Sequence, residues 1–160
     1  DLIPSFTQTK APETMQITRE QGTSKKPRKV QKEVILIEGK LNTYNSLTEY
    51  YCPHCHSLLH GNGDTRCTLT HIPIGGSYTK LIISRHRLHC PNKECSYNYT
   101  FAVDFKEDKH LLTKAVVNYA RGLLARKLTL KEVSFITGID ENIVKDIDKK
   151  RLQEIYTING

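Results

Sequence analysis

The sequence predicts an α+β fold: a small antiparallel β module tied together by cysteines, followed by a three-helix unit. Three features predict it. Two closely spaced cysteine pairs, Cys52/Cys55 and Cys90/Cys95, sit far apart in the chain. Runs of β-branched and alternating residues lie around and between them. From residue 107 onward apolar residues recur at threes and fours, the period of one helix face. The expected divisions are a flexible basic arm over 1–33, the β module over 34–106 and the helical unit over 107–160.

Residues 1–32 are polar and without period, ending in Gly22-Thr23-Ser24-Lys25-Lys26-Pro27-Arg28-Lys29. Such a composition buries too little apolar surface to offset its chain entropy, which predicts a mobile arm. Val34-Ile35-Leu36-Ile37-Glu38-Gly39 is a β-branched run stopped by glycine, too short to decide between a strand and a first helical turn. Tyr50 and Tyr51 lead into the first cysteine pair and are expected to pack on the module around it.

The pairs read as knuckles, Cys52-Pro53-His54-Cys55 and Cys90-Pro91-Asn92-Lys93-Glu94-Cys95. A tight turn lets two sulfurs converge on one ion, and a second turn completes a tetrahedron, as in structural zinc sites. Proline after the first cysteine fixes φ and favours the turn. Cys52, Cys55, Cys90 and Cys95 are therefore the expected Zn2+ ligands. Five cysteines cannot all pair as disulfides. Cys67, alone in a turn-rich stretch, reads as a free thiol. His54, His56, His60, His71, His86 and His89 crowd the region as competitors, but His54 lies inside its knuckle and His89 points to the strand face opposite Cys90.

Between the pairs, His60-Gly61-Asn62-Gly63-Asp64 reads as a turn. A strand is expected over 67–74, a turn at Gly75-Gly76, a partner strand over 78–90 and a last strand over 97–103. From Arg85 the partner strand alternates, with Arg85, Arg87 and His89 on one face and His86 and Leu88 on the other. That ladder either holds phosphates or is a solvated face.

The first helix is expected over 107–127, where Leu111, Leu112, Ala115, Val116, Tyr119, Ala120, Leu123 and Leu124 recur. Gly122 within it would permit a close helix crossing. Thr129 with Glu132 makes a capping box for a short helix, 130–137. Gly138 ends that helix and Asp140 caps a third, 141–155. Val133, Ile139, Val144 and Ile147 fall where a helix-turn-helix packs its two helices, with Ser134 at their close approach. Such a motif lays its second helix in the DNA major groove. Asn142, Lys145 and Lys149 would then face base edges, although Asp140, Glu141 and Asp146 on the same helix repel phosphates.

Charge agrees with an anionic partner. The chain has 24 Lys/Arg against 17 Asp/Glu, a net charge of +7. The excess sits in residues 1–33, with seven basic and four acidic groups, and in 111–139, with five and one. Arg121, Arg126, Lys127 and Lys131 of the second stretch, with Arg85 and Arg87, are the expected phosphate contacts. The basic run of the arm either enters a minor groove, as homeodomain arms do, or is a solvated linker. No apolar run approaches the roughly 20 residues needed to cross a bilayer. The chain begins with Asp1, as a trimmed one would, and shows no secretory signal. Reduced, metal-bound cysteines suit a cytoplasmic protein.

Taken together, Cys52-Pro53-His54-Cys55, His71-Ile72-Pro73-Ile74, Arg85-His86-Arg87-Leu88-His89-Cys90, Cys95 and Thr100-Phe101 resemble the N-terminal part of the ISL-three family of bacterial insertion-sequence transposases. The resemblance covers about residues 50–155, and the cysteine spacing is its specific part. His56 departs from it, standing where a glycine is usual after the knuckle. The resemblance implies a zinc module and a helix-turn-helix that recognise duplex DNA, either terminal repeats or an operator. It also implies an RNase H-like domain with three metal-binding carboxylates lying beyond residue 160. Asp104, Glu107 and Asp108 do not replace that domain and read as helix-start acids. No phosphate loop and no Ser/His/Asp or Cys/His nucleophile is recognisable, so catalysis by this chain is not expected. The competing expectation is a zinc-stabilised protein-interaction module, an adaptor or inhibitor that kept the fold and lost DNA affinity. A homodimer would suit a helix-turn-helix protein, but no heptad seam is present.

Overall fold

The computed structural model describes residues 5–22 and 25–159. The fold is α+β, with a six-stranded sheet, three helices and a cluster of four cysteines. The strands are β1 (Phe6–Gln8), β2 (Glu13–Gln21), β3 (Arg28–Leu41), β4 (His60–Ile74), β5 (Ser77–His89) and β6 (Asn98–Thr100). Their order is β1-β3-β5-β4, with β2 also on β3 and β6 also on β5. The helices are α1 (Lys114–Ala125), α2 (Leu130–Thr137) and α3 (Glu141–Asn159). Two compact units divide the chain: Asp1–Ala11, Glu38–Thr68 and Ile82–Asp104 form one, and Pro12–Ile37, Leu69–Leu81 and Phe105–Gly160 the other. They are therefore not the successive modules 34–106 and 107–160. The strands β3, β4 and β5 each contribute residues to both, because sheet pairing joins segments remote in sequence.

The stretch expected as a mobile arm over 1–33 is largely strand. Residues 1–4 and 23–24 lie outside the described residues, but β1, β2 and the start of β3 occupy most of the rest. Composition misleads here because a strand alternates. In β2, Ile17 and Arg19 are half-buried while Gln16, Thr18 and Glu20 are exposed. Glu13, Thr14 and Met15 sit opposite Leu36, Ile35 and Val34, so the apolar half of β3 supplies what β2 lacks. In the first unit, Phe6 pairs with Leu41 and both are buried. Gly39 does not end β3; a Cβ there would overlap the Phe6 ring and the Thr7 carbonyl, so glycine admits β1. The expected turn at 60–64 is instead the start of β4. Gly63, at φ 72, carries the local irregularity within the strand.

The second unit's helices pack through Leu112, Val116, Ala120, Leu124, Val133, Ile139, Val144 and Ile147, all buried. The four residues expected to join α2 to α3 are among them. α1 starts at Lys114 and not at 107. Thr113 caps it, its Oγ accepting the Val116 N–H at 3.2 Å, while Thr70 exchanges backbone hydrogen bonds with Leu111 and Thr113 at 3.1 and 3.0 Å. The segment before the cap is thus held extended, and Leu111 is 60% exposed. Asp104, Glu107 and Asp108 consequently start no helix. Glu107 instead accepts the N–H groups of Lys109 and His110 at 2.9 and 2.6 Å. Gly122 marks no crossing, since nothing lies within 4 Å of where its Cβ would be.

Between α2 and α3 the local signals hold. Thr129 and Glu132 form the capping box, and Gly138 ends α2 at φ 78. Asp140 accepts the Asn142 N–H at 2.9 Å and starts α3. Ser134 donates to the Ile139 carbonyl at 2.5 Å. Tyr78 of β5 supports this turn from below: its hydroxyl donates to the Phe135 carbonyl at 2.5 Å, and a Cβ on Gly138 would lie 3.0 Å from its ring.

Candidate metal centre and basic surfaces

The four expected ligands come together in the first unit. The sulfurs of Cys52, Cys55, Cys90 and Cys95 all lie within 4.8 Å of one another, with Cys52–Cys95 at 3.7 Å and Cys55–Cys90 at 3.4 Å. A tetrahedral ion with bonds of about 2.3 Å spaces its sulfurs by about 3.8 Å, so this cluster could hold a metal ion. Backbone hydrogen bonds shape both turns. The Cys52 N–H donates to Ser57 O at 2.8 Å and His56 N–H to Cys52 O at 2.9 Å; Cys95 N–H donates to Asn92 O at 3.0 Å and Cys90 N–H to Tyr97 O at 2.9 Å. His54 N–H points at Cys52 Sγ, 3.4 Å away, as suits a thiolate acceptor. His56 takes φ 64, so this histidine adopts the left-handed conformation that glycine would provide. No histidine joins the cluster among the described residues, and Cys67 stays outside it as a free thiol.

The thiols are unequal without a metal. The Ser57 hydroxyl, 3.3 Å from Cys55 Sγ, and the Ser57 N–H hold the Cys55 thiol down at about 6. Burial pushes the Cys90 thiol up to about 12. Four thiolates at these separations repel, and a divalent cation would supply the compensating charge. Beside the knuckles stands an aromatic group. Tyr50 and Tyr99 meet Phe101 edge-on at 5.4 and 5.0 Å, and Tyr44 stacks on His86 at 3.9 Å. Tyr50 thus packs as expected, whereas Tyr51 is more than half exposed.

The basic residues are distributed unevenly. Arg85 and Arg87 are half-buried on β5 in the first unit. Their Nε atoms, and His89 Nδ1, are buried with no hydrogen-bond partner. His86, on the alternate face, pairs with Asp64 at 3.0 Å. In the second unit Arg126, Lys127 and Lys131 are exposed, around the end of α1 and the first turn of α2. Arg121, also expected at phosphates, pairs with Glu154 at 2.6 Å. Asn142, Lys145 and Lys149 are exposed on α3 without an ion pair among the described residues.

No protein-family model, curated protein or solved structure matches this chain.

Spacing did not reveal how the acidic groups of α3 are used. Asp146 lies 2.8 Å from His110 Nε2 and 3.1 Å from Lys109 Nζ, and Asp148 pairs with Arg151 at 2.9 Å. The His110 hydrogen bond, with help from Lys109, holds the Asp146 carboxyl below its usual range. Ser57 and Tyr78 were equally hidden. A serine after a knuckle and a tyrosine in a strand are ordinary until their partners are known.

Proposed function

We propose that this chain is a DNA-binding module, in which Zn2+ joins the two knuckles and α2 and α3 act as a helix-turn-helix on duplex DNA. The observation that carries this reading is the exposed face of α3. Asn142, Lys145 and Lys149 are open to solvent there, while Asp140 caps the helix and Asp146 and Asp148 are neutralised inside the unit. The acidic residues that argue against a groove-facing helix are thus mostly engaged. Arg126, Lys127 and Lys131 would neutralise phosphates around α2, as the first helix of such a motif crosses the backbone. In the first unit, Arg85 and Arg87, half-buried on β5, would add phosphate contacts. In this reading the chain binds DNA and does not cut it, on the pattern of the transposase N-terminal regions that it resembles, and thiolate ligation suits a reducing, cytoplasmic setting.

One observation favours a protein partner in addition. Leu152, Ile155 and Tyr156 are 39%, 39% and 72% exposed and stand at helical spacing on the second half of α3. A second copy or another protein would cover that stripe.

Selection of duplexes from a random-sequence pool by the zinc-loaded protein tests the main reading. The selected duplex should bind more tightly than a scrambled one. Asn142→Ala should cost about 1–3 kcal/mol on the selected duplex and little on the scrambled one. Equal losses on both would remove base reading from α3.

A further inference from the structure

We propose that the β2–β3 hairpin is a second duplex-binding element, a basic wing whose Lys25, Lys26, Arg28 and Lys29 hold backbone phosphates beside the DNA that α3 reads. This rests on the DNA-binding reading above and adds a place and a partner for residues that the helix-turn-helix does not use. The hairpin is ordered by register: β2 and β3 pair continuously from Glu13↔Leu36 to Gln21↔Arg28. Just past that last pair, Gly22 takes φ 107, and a Cβ on it would lie 3.0 Å from the Lys26 carbonyl. That left-handed φ at Gly22 is one that glycine adopts without strain. Lys25, Lys26, Arg28 and Lys29 are all exposed and make no ion pair among the described residues. Pro27 restricts the backbone between them.

The tip half of the hairpin is fastened to α2. The Arg19 guanidinium donates to Ser134 Oγ at 3.3 Å and lies 5.5 Å from the Tyr78 ring centre. Lys32 Nζ sits 4.9 Å from the ring centres of both Tyr78 and Phe135 and donates to the Gly76 carbonyl at 2.5 Å. Two cationic side chains are thereby spent on aromatic and polar anchors. Beyond the anchor, Gln21 and Gly22 share a cleft of about 890 Å³ with Thr129, Lys131 and Phe135 of the α2 region and Glu141 at the start of α3. Glu20, Glu132 and Glu141 all line that cleft, and of these Glu132 is engaged by the Thr129 N–H at 2.9 Å. Gln21 and Gly22 thus lie beside the first turn of α2, where a helix-turn-helix meets the sugar–phosphate backbone. Glu20 stands cross-strand from Lys29, and the other three cations, without an ion pair among the described residues, would be matched by a row of phosphates.

The test uses the full chain and the duplex selected from a random pool, with its scrambled counterpart. Replacing Lys25, Lys26, Arg28 and Lys29 together by Gln should lower the slope of log K against log salt by about 2 to 4 on both duplexes. Preference for the selected duplex should survive, and hydroxyl-radical protection should disappear from a flank of the footprint while its centre remains. Lys26→Glu alone should move the slope in the same direction. An unchanged slope with the flank still protected would overturn the wing and leave α3 as the reader. Absence of any duplex binding by the unaltered protein would end both readings together.

Discussion

Gly138 and Gly122 belong to the same helical unit but face opposite constraints. Gly138 is left-handed and carries the Tyr78 ring against it; Gly122 lies mid-helix with nothing near its missing side chain. Gly138→Ala should destabilise the protein by on the order of 1–3 kcal/mol through the backbone alone, and more through the ring. Gly122→Ala should stabilise it by about 0.5–1 kcal/mol. Urea midpoints of the two variants check this, and a reversed order would show that the turn does not depend on left-handed glycine. Asp146 is the residue at which structure and proposed function meet. Asp146→Asn removes a carboxylate from α3 and releases Lys109 from it. Binding to both selected and scrambled duplexes should tighten, with a salt slope steeper by about one. Weaker binding would mean that the Lys109–Asp146–His110 cluster positions α3 and does not merely restrain its charge.

The elements differ in how far the sequence revealed them. Both knuckles were legible because metal chemistry is set by covalent spacing, and α2 and α3 because capping residues act on the nearest turn. The start of α1 was not, because Leu112 continues the helical period through a segment that is extended against Thr70. β1 and β2 were hidden because their stability comes from β3, a partner that no local window contains. The alternate amides of β2 that bond across to β3 should therefore exchange slowly with solvent; exchange of all of them within seconds would restore the mobile arm. The metal cluster gives a further test. A chelator should abolish the near-ultraviolet signal of Tyr44, Tyr50 and Tyr99, which lie in the unit of the knuckles, and spare most of the far-ultraviolet helical signal. Cys90→Ala should do the same, since in small modules metal binding is folding energy. Metal affinity should also depend on pH. Cys55 is already a thiolate above about 6, but Cys90, raised to about 12, must lose its proton to the ion. Affinity should accordingly rise as pH increases through neutrality; a flat profile would indicate that the four sulfurs are not all ligands.

At the scale of the whole molecule, the net charge of +7 is uneven in its use. Arg19, Lys32 and Arg121 act within the second unit, whereas the 25–29 tip, Arg126, Lys127, Lys131, Lys145 and Lys149 remain available to a ligand. Sequence alone could count these charges but not sort them, because ion pairing depends on tertiary neighbours. No helix among the described residues is long and apolar enough to cross a membrane. The decisive measurement is a titration of the zinc-loaded chain with duplex DNA at two salt concentrations. The account predicts binding at physiological salt, with a preference for the selected duplex and log K falling by several units per decade of salt. Failure of both duplexes to bind below about 100 μM, the weak end of ordinary non-specific DNA binding, would contradict it.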